Sequence, residues 1–124
     1  MLGAQNLVRQ TIFSMLKDNY NIFEDVPADA SMPYIVLGEA TTTDNSTKTE
    51  QGAIISLSLH VFSGYPGYKE IASIIQGVLN VLEYTNIVVD GKQIWIFPDN
   101  VELADEPPYK HGIIRLKIHV YEGV

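Results

Sequence analysis

Apolar positions along the chain repeat at two spacings, and each spacing predicts a different element. Leu7, Val8, Thr11, Ile12, Met15 and Leu16 recur in pairs four residues apart, with Arg9, Gln10, Ser14 and Lys17 mostly between them. This is one stripe of an amphipathic helix, and it fades near Asp18 and Asn19. A second stripe, made of Tyr68, Ile71, Ala72, Ile75, Val78, Leu79 and Leu82, predicts a helix over about 67–83. Pro66 suits its first turn, where a missing N–H is no loss. Gly77 inside it costs about 1 kcal/mol against Ala, which a close-packed neighbour would explain. In residues 53–63 the period changes to two. Ile55, Leu57, Leu59 and Val61 alternate with Ile54, Ser56, Ser58, His60 and Phe62, which marks a strand with one apolar face. The last strand, 111–122, alternates the same way. It places Ile114, Leu116, Ile118 and Val120 inward and Arg115, Lys117, His119 and Tyr121 outward.

Weaker signals fill the gaps. Tyr20 to Phe23 reads as a short extended segment, followed by a loop marked by Pro27, Asp29 and Ser31. Residues 33–43, with Tyr34, Ile35, Val36 and Leu37, read as a strand, and a proline is tolerated at its first position. Residues 41–52 are polar and Thr-rich and read as a mobile loop or a hairpin tip. Two apolar runs flank Asp90-Gly91, the strongest short hairpin signal. Pro98 ends or bends the second arm, Val101-Glu102-Leu103 have the character to resume it, and Asp105-Glu106-Pro107-Pro108 read as a loop. The order predicts an α+β fold: a mostly antiparallel β-sheet with two amphipathic helices packed on one face. The alternative is a small mixed sheet with a crossover through the second helix.

Length and charge narrow the picture. A chain of 124 residues is expected to form one domain, 1–124, large enough for its own core. Eight basic and fifteen acidic side chains give a net charge of −7, without the surplus of Lys and Arg that nucleic-acid binding needs. There is no cysteine, which excludes disulfides, thiol catalysis and thiolate metal sites. The first residues lack the pattern of a secretory signal, and no apolar run is long enough for a membrane span. The sequon Asn45-Ser46-Thr47 is accordingly read as chance.

No arrangement of residues suggests catalysis. His60, His111 and His119 lack metal-ligand spacing and have no cysteine near them. His60 and His119 lie on the polar faces of two strands. If those strands pair, their faces combine Ser56, Ser58, His60, Arg115, Lys117 and His119 into a wet or partner-facing surface. The acidic residues form no pair spaced for acid–base work. Ser63-Gly64-Tyr65-Pro66-Gly67 lacks the lysine and spacing of a phosphate loop and reads as a strand-to-helix turn. Seven tyrosines, Tyr65, Tyr68, Tyr109 and Tyr121 among them at loops or on polar faces, suit protein contacts or half-buried rings. No catalytic residue, metal or cofactor is expected, and the alternative to a structural role is a small non-catalytic ligand-binding or adaptor domain.

The order of motifs is also familiar. It runs from a helix to Pro33-Tyr34-Ile35-Val36-Leu37-Gly38-Glu39, a Thr-rich loop and Ile55-Ser56-Leu57-Ser58-Leu59-His60-Val61-Phe62-Ser63. It continues through a helix from Tyr68-Lys69-Glu70-Ile71-Ala72 to Gly112-Ile113-Ile114-Arg115-Leu116-Lys117-Ile118-His119-Val120-Tyr121-Glu122. Nearly the whole chain resembles the tail-completion, or tail-to-head joining, proteins of long-tailed siphophages and related prophages, and looks like the fold of their tail terminators. The resemblance implies a ring, typically a hexamer, at the head-proximal end of the tail tube. That ring stops tube growth and meets the head-completion or neck protein. DNA is expected to pass through without specific binding, repelled by an acidic lumen. The implied location is the virion tail, assembled in the bacterial cytoplasm. Candidate contacts with copies or partners are Thr43, Asp44, Lys48 and Glu50 in the polar loop, Tyr65 and Tyr68 at the turn, and Arg115 and Lys117 on the sheet.

Overall fold

A computed structural model describes residues 2–123. Helix α1 (Leu2–Leu16) is followed by β1 (Ile22–Phe23), β2 (Tyr34–Asp44) and β3 (Glu50–Ser63). Helix α2 (Lys69–Leu82) comes next, then β4 (Asn86–Val89), β5 (Lys92–Glu106) and β6 (Tyr109–Gly123). The strands form one sheet in the order β1-β2-β3-β6-β5-β4. β1 runs parallel to β2, and all other neighbours are antiparallel. The fold is α+β with both helices on one face, as the alternation and the two stripes predict.

The register explains why. Leu37 pairs with Leu59, and Leu59 with Ile114; Ile55 pairs with Ile118, and Ile118 with Ile96. Period-two alternation therefore becomes aliphatic rows running across four strands on one face. Leu7, Val8, Ile12 and Leu16 of α1 and Ile71, Ile75, Val78 and Leu82 of α2 close over those rows in a single core. Each fully buried Leu or Ile contributes about 1.5–3 kcal/mol against exposure, so this face dominates stability.

Two glycines show how closely the layers meet. The Tyr20 hydroxyl occupies the space that a Cβ on Gly77 would take, which accounts for a glycine in the middle of α2. On β6, a Cβ at Gly112 would lie 2.7 Å from the Ile75 methyl, so α2 rests directly on that strand.

Several boundaries differ from the sequence reading. The 41–52 segment is mostly strand: β2 runs to Asp44 and β3 starts at Glu50, so the irregular part is 45–49. The tip is held by Asn45 N–H to Gly52 O at 2.8 Å and Thr47 N–H to Glu50 O at 2.8 Å. Pro98 does not end β5. The strand absorbs it at a register shift between Pro98 and Asn100 and runs on to Glu106. Asp105 and Glu106 are therefore strand residues, not loop, and Pro107 and Pro108 alone turn the chain into β6, with Glu106 opposite Tyr109. A bulge of this kind lets a strand bend and continue past a residue that cannot donate. Asp90-Gly91 forms the expected tight turn, with φ of 51° and 76°, the two positive values that the preferred hairpin turn needs.

Strand length matters for the surface. Fifteen residues of strand span about 50 Å, whereas α2, with fourteen residues, spans about 21 Å. The helices cannot cover the whole of their face, and Val101 and Leu103 at the far end of β5 are 43% and 42% exposed.

Candidate interaction face

Among the described residues, the face of the sheet away from the helices has no covering layer. Its residues are the alternate set, among them Tyr34, Val36, Ile54, Ser56, Ser58, His60, Phe62, Trp95, Phe97, His111, Ile113, Arg115, Lys117, His119 and Tyr121, placed by the same registers. The expected pairing of the two strands is present. Ser58 lies opposite Arg115 and Ser56 opposite Lys117.

At one end of this face two imidazoles and two carboxylates form a line. His60 Nε2 lies 3.2 and 3.1 Å from the two Glu39 carboxylate oxygens. His60 Nδ1 is 2.8 Å from His111 Nε2, and His111 Nδ1 is 2.9 Å from Glu106 Oε1. The line ties β2, β3, β6 and β5 together. With both carboxylates ionised, each end nitrogen must donate, and the central contact needs one proton between two nitrogens. Hydrogen bonds from its own backbone and from the His60 ring hold the Glu39 carboxyl below its ordinary range. Phe62 stacks on His111 with ring centres 4.6 Å apart, and Tyr34 and Tyr109 flank Phe62 at 5.5 Å each. The four polar groups follow one another rather than converge. Among the described residues no three His, Cys, Asp or Glu are grouped to hold a metal ion.

At the other end a second aromatic group forms. Trp95 and Phe97 lie 4.9 Å apart, His119 meets Phe97 edge-on at 5.2 Å, and His119 Nδ1 is 2.9 Å from the Tyr121 hydroxyl. Tyr84 adds its ring edge-on to Phe97 at 6.2 Å. Tyr84 has φ of 59° just after α2 and is 64% exposed. A bulky residue in the left-handed region costs about 1–2 kcal/mol, and the solvent-facing ring gains little burial in return. Between the two groups, Arg115 donates to Asn100 Oδ1 at 2.9 Å and Glu102 Oε1 at 3.2 Å.

The sequence-nominated contacts fall in three places. Thr43, Asp44, Lys48 and Glu50 gather at the β2–β3 hairpin tip, where Asp44 accepts from the Ser46 hydroxyl at 2.7 Å. Arg115 and Lys117 lie mid-face on β6. Tyr65 and Tyr68 lie at the start of α2, with the Lys110 ammonium 5.1 Å from the Tyr68 ring centre. The structure does not bring these three groups together. Sequence reasoning missed the Glu39–His60–His111–Glu106 line and the Trp95 group. Both depend on register between residues far apart in the chain, and the alternation on β5 was the one available signal for Trp95 and Phe97.

The fold and this surface define a class: a two-layer domain whose long-stranded sheet is helix-covered on one side and bare on the other. Residues 10–121 match the family model described as Tail completion protein gp17. The chain belongs to this family, and its role is a structural one in the phage tail. Among solved structures it is similar to a chain in the virion of a native gene transfer agent particle, with a TM-score of 0.73 and 14% identity. That match covers 89% of this chain and 84% of the other, and the likeness is one of fold. No curated protein matches the chain in sequence.

Proposed function

We propose that copies of this chain form a ring that caps the head-proximal end of a long tail tube, stops tube growth and joins tail to head. The observation that carries this reading is the bare sheet face, in a chain of the tail completion family. Trp95, Tyr84 and Val88 are exposed by 39%, 64% and 71%, and Tyr84 holds a costly backbone conformation beside them. Exposed aromatic rings rimmed by charge are what protein contacts use. The role is non-enzymatic, and the place of the protein is the tail of the virion, reached by assembly in the host cytoplasm.

The partners are further copies of the chain, the tail-tube protein on one rim and the head-completion or neck protein on the other. A ring of six would carry six times the charge of −7 and would let DNA slide past without specific binding. A lumen lined with Lys and Arg would contradict that last point.

The test is native mass spectrometry and electron microscopy of the purified chain with and without tail-tube protein. Rings that bind one tube end, and particles lacking the chain that carry unjoined tails of irregular length, are expected. Monomers alone in both conditions would reject the ring.

A further inference from the structure

Among the described residues the sheet has two edges with unpaired stretches, and they lie on opposite sides of it. On one side β4 covers β5 only from Lys92 to Trp95, with Ile96 bonded to Tyr84 and Thr85 just beyond. From Asn100 to Glu106 the outer edge of β5 faces no strand. On the other side β1 covers only Ile35 and Val36 of β2. The Arg9 guanidinium then donates to the Gly38 carbonyl at 2.7 Å and the Leu37 carbonyl at 3.2 Å, which closes that stretch. From Glu39 to Asp44 the outer edge of β2 again faces no strand. Rows of free N–H and C=O groups of this length are templates for another strand.

Direction and charge select the occupant. β2 and β5 are separated by β3 and β6 in a wholly antiparallel run, so they point in opposite senses. Within one sheet Val101 lies level with Leu37 and Ile96 with Thr42, so the two free stretches sit at opposite ends of the strands. A second copy that keeps the strand sense and is displaced along the strands brings its β2 antiparallel against this β5, the more stable pairing. One such contact uses both edges of every copy and is heterologous, the type that closes into a ring when its axis is inclined to the strands and runs open when it is not. Pairing β5 with another β5 would instead bring Asp99, Glu102, Asp105 and Glu106 toward the same four acids, offset in part by their pairs with Arg115, Lys110 and His111, and opposed like charges destabilise a sheet. The β2 edge carries two acids, Glu39 and Asp44, at the ends of the free stretch, and between them Thr41, Thr42 and Thr43, three neutral residues with strong strand preference. Val101 and Leu103 point to the helix side, half exposed beside the free edge, where an added strand would shield them.

We infer that the outer edge of β5, from Val101 to Glu106, pairs antiparallel with the outer edge of β2, from Glu39 to Asp44, in a second copy, joining the sheets of neighbouring subunits. This rests on the ring reading above.

The chain has no cysteine, so introduced pairs report without background. Thr42→Cys is combined in turn with Val101→Cys, Leu103→Cys and Asp105→Cys. Within one copy the two strands are three spacings apart, roughly 14 Å. A disulfide needs Cα atoms within about 7 Å, so any bridge formed is between copies. The samples are assembled with and without tail-tube protein, oxidised and run under denaturing conditions. At least one double variant should give a covalent ladder up to the ring size, and no single variant should. Rings by electron microscopy with no ladder from any pair overturn the edge pairing and leave the ring intact. Dimers from Leu103→Cys alone assign β5 self-pairing and also overturn it. Monomers throughout reject both readings.

Discussion

On the helix side of the sheet, Ile55, Leu57, Leu59, Ile114, Leu116 and Ile118 are at most 1% exposed. On the opposite side the same strands carry Ser56, His60, Phe62, Arg115, Lys117 and His119, with Ile54 and Ile113 among them and, among the described residues, no layer over them. One face is aliphatic and needs only volume. The other is built from rings and hydrogen-bonding groups, each placed by a cross-strand neighbour. The contrast separates what holds the fold from what is left for partners: changes on the first face should act on stability, and changes on the second on assembly.

The largest effect is expected at the covered face. Ile118→Ala should cost about 2–5 kcal/mol in urea unfolding, because it opens a cavity beneath two helices. Next comes the contact between α2 and Tyr20. Gly77→Ala should lower stability by about 1–3 kcal/mol despite the better helix propensity of alanine, since the Tyr20 hydroxyl already fills that space. Adding Tyr20→Phe should recover most of the loss, and a helix-propensity gain without it would show the packing argument to be wrong. On the bare face, His111→Ala should cost about 1–2 kcal/mol through lost hydrogen bonds.

Smaller still, Trp95→Ala should change stability by about 1 kcal/mol or less while sharply reducing tail joining in a complementation assay. Unchanged joining would remove the Trp95 group from the interface. The smallest effect concerns Glu39. Its folded carboxyl titrates below the ordinary value of 4.5, so its contribution is complete above that value and fades as pH falls toward the lower folded one. Glu39→Gln should flatten the acid side of the stability profile slightly and leave neutral pH nearly unchanged.

Much of the covered face was legible in the sequence, because burial imposes a period that a single strand or helix displays by itself. The stripe through Ile71, Ile75, Val78 and Leu82 and the alternation through Ile55 to Val61 needed no partner to be read. The Asp90-Gly91 turn was equally local. The path of β5 was not. Pro98 reads as an end or a bend, with Val101-Glu102-Leu103 able to resume the strand, and only the long β6 opposite it decides that β5 runs past the bulge to Glu106. The 41–52 segment misled in a related way: threonines that look loop-like alone are held as strand by Ile54 and Ile55 across the ladder. On the bare face, His60 and His111 are 51 positions apart, and no spacing rule joins them. Of the nominated contacts, Arg115 and Lys117 were placed by alternation, whereas Tyr65 and Tyr68 were chosen for residue type alone.

The β3–β6 ladder runs from Glu50 opposite Gly123 to Ser63 opposite Lys110 without a shift. Side chains alternate at every step, so deleting one residue inside either strand would invert all that follow and drive His60 or Lys117 under the helices. Descendants of this gene can therefore change length freely only outside that ladder. Indels among related phages should accumulate at 45–49 and in the segment between β1 and β2, and leave 53–63 and 111–121 constant in length.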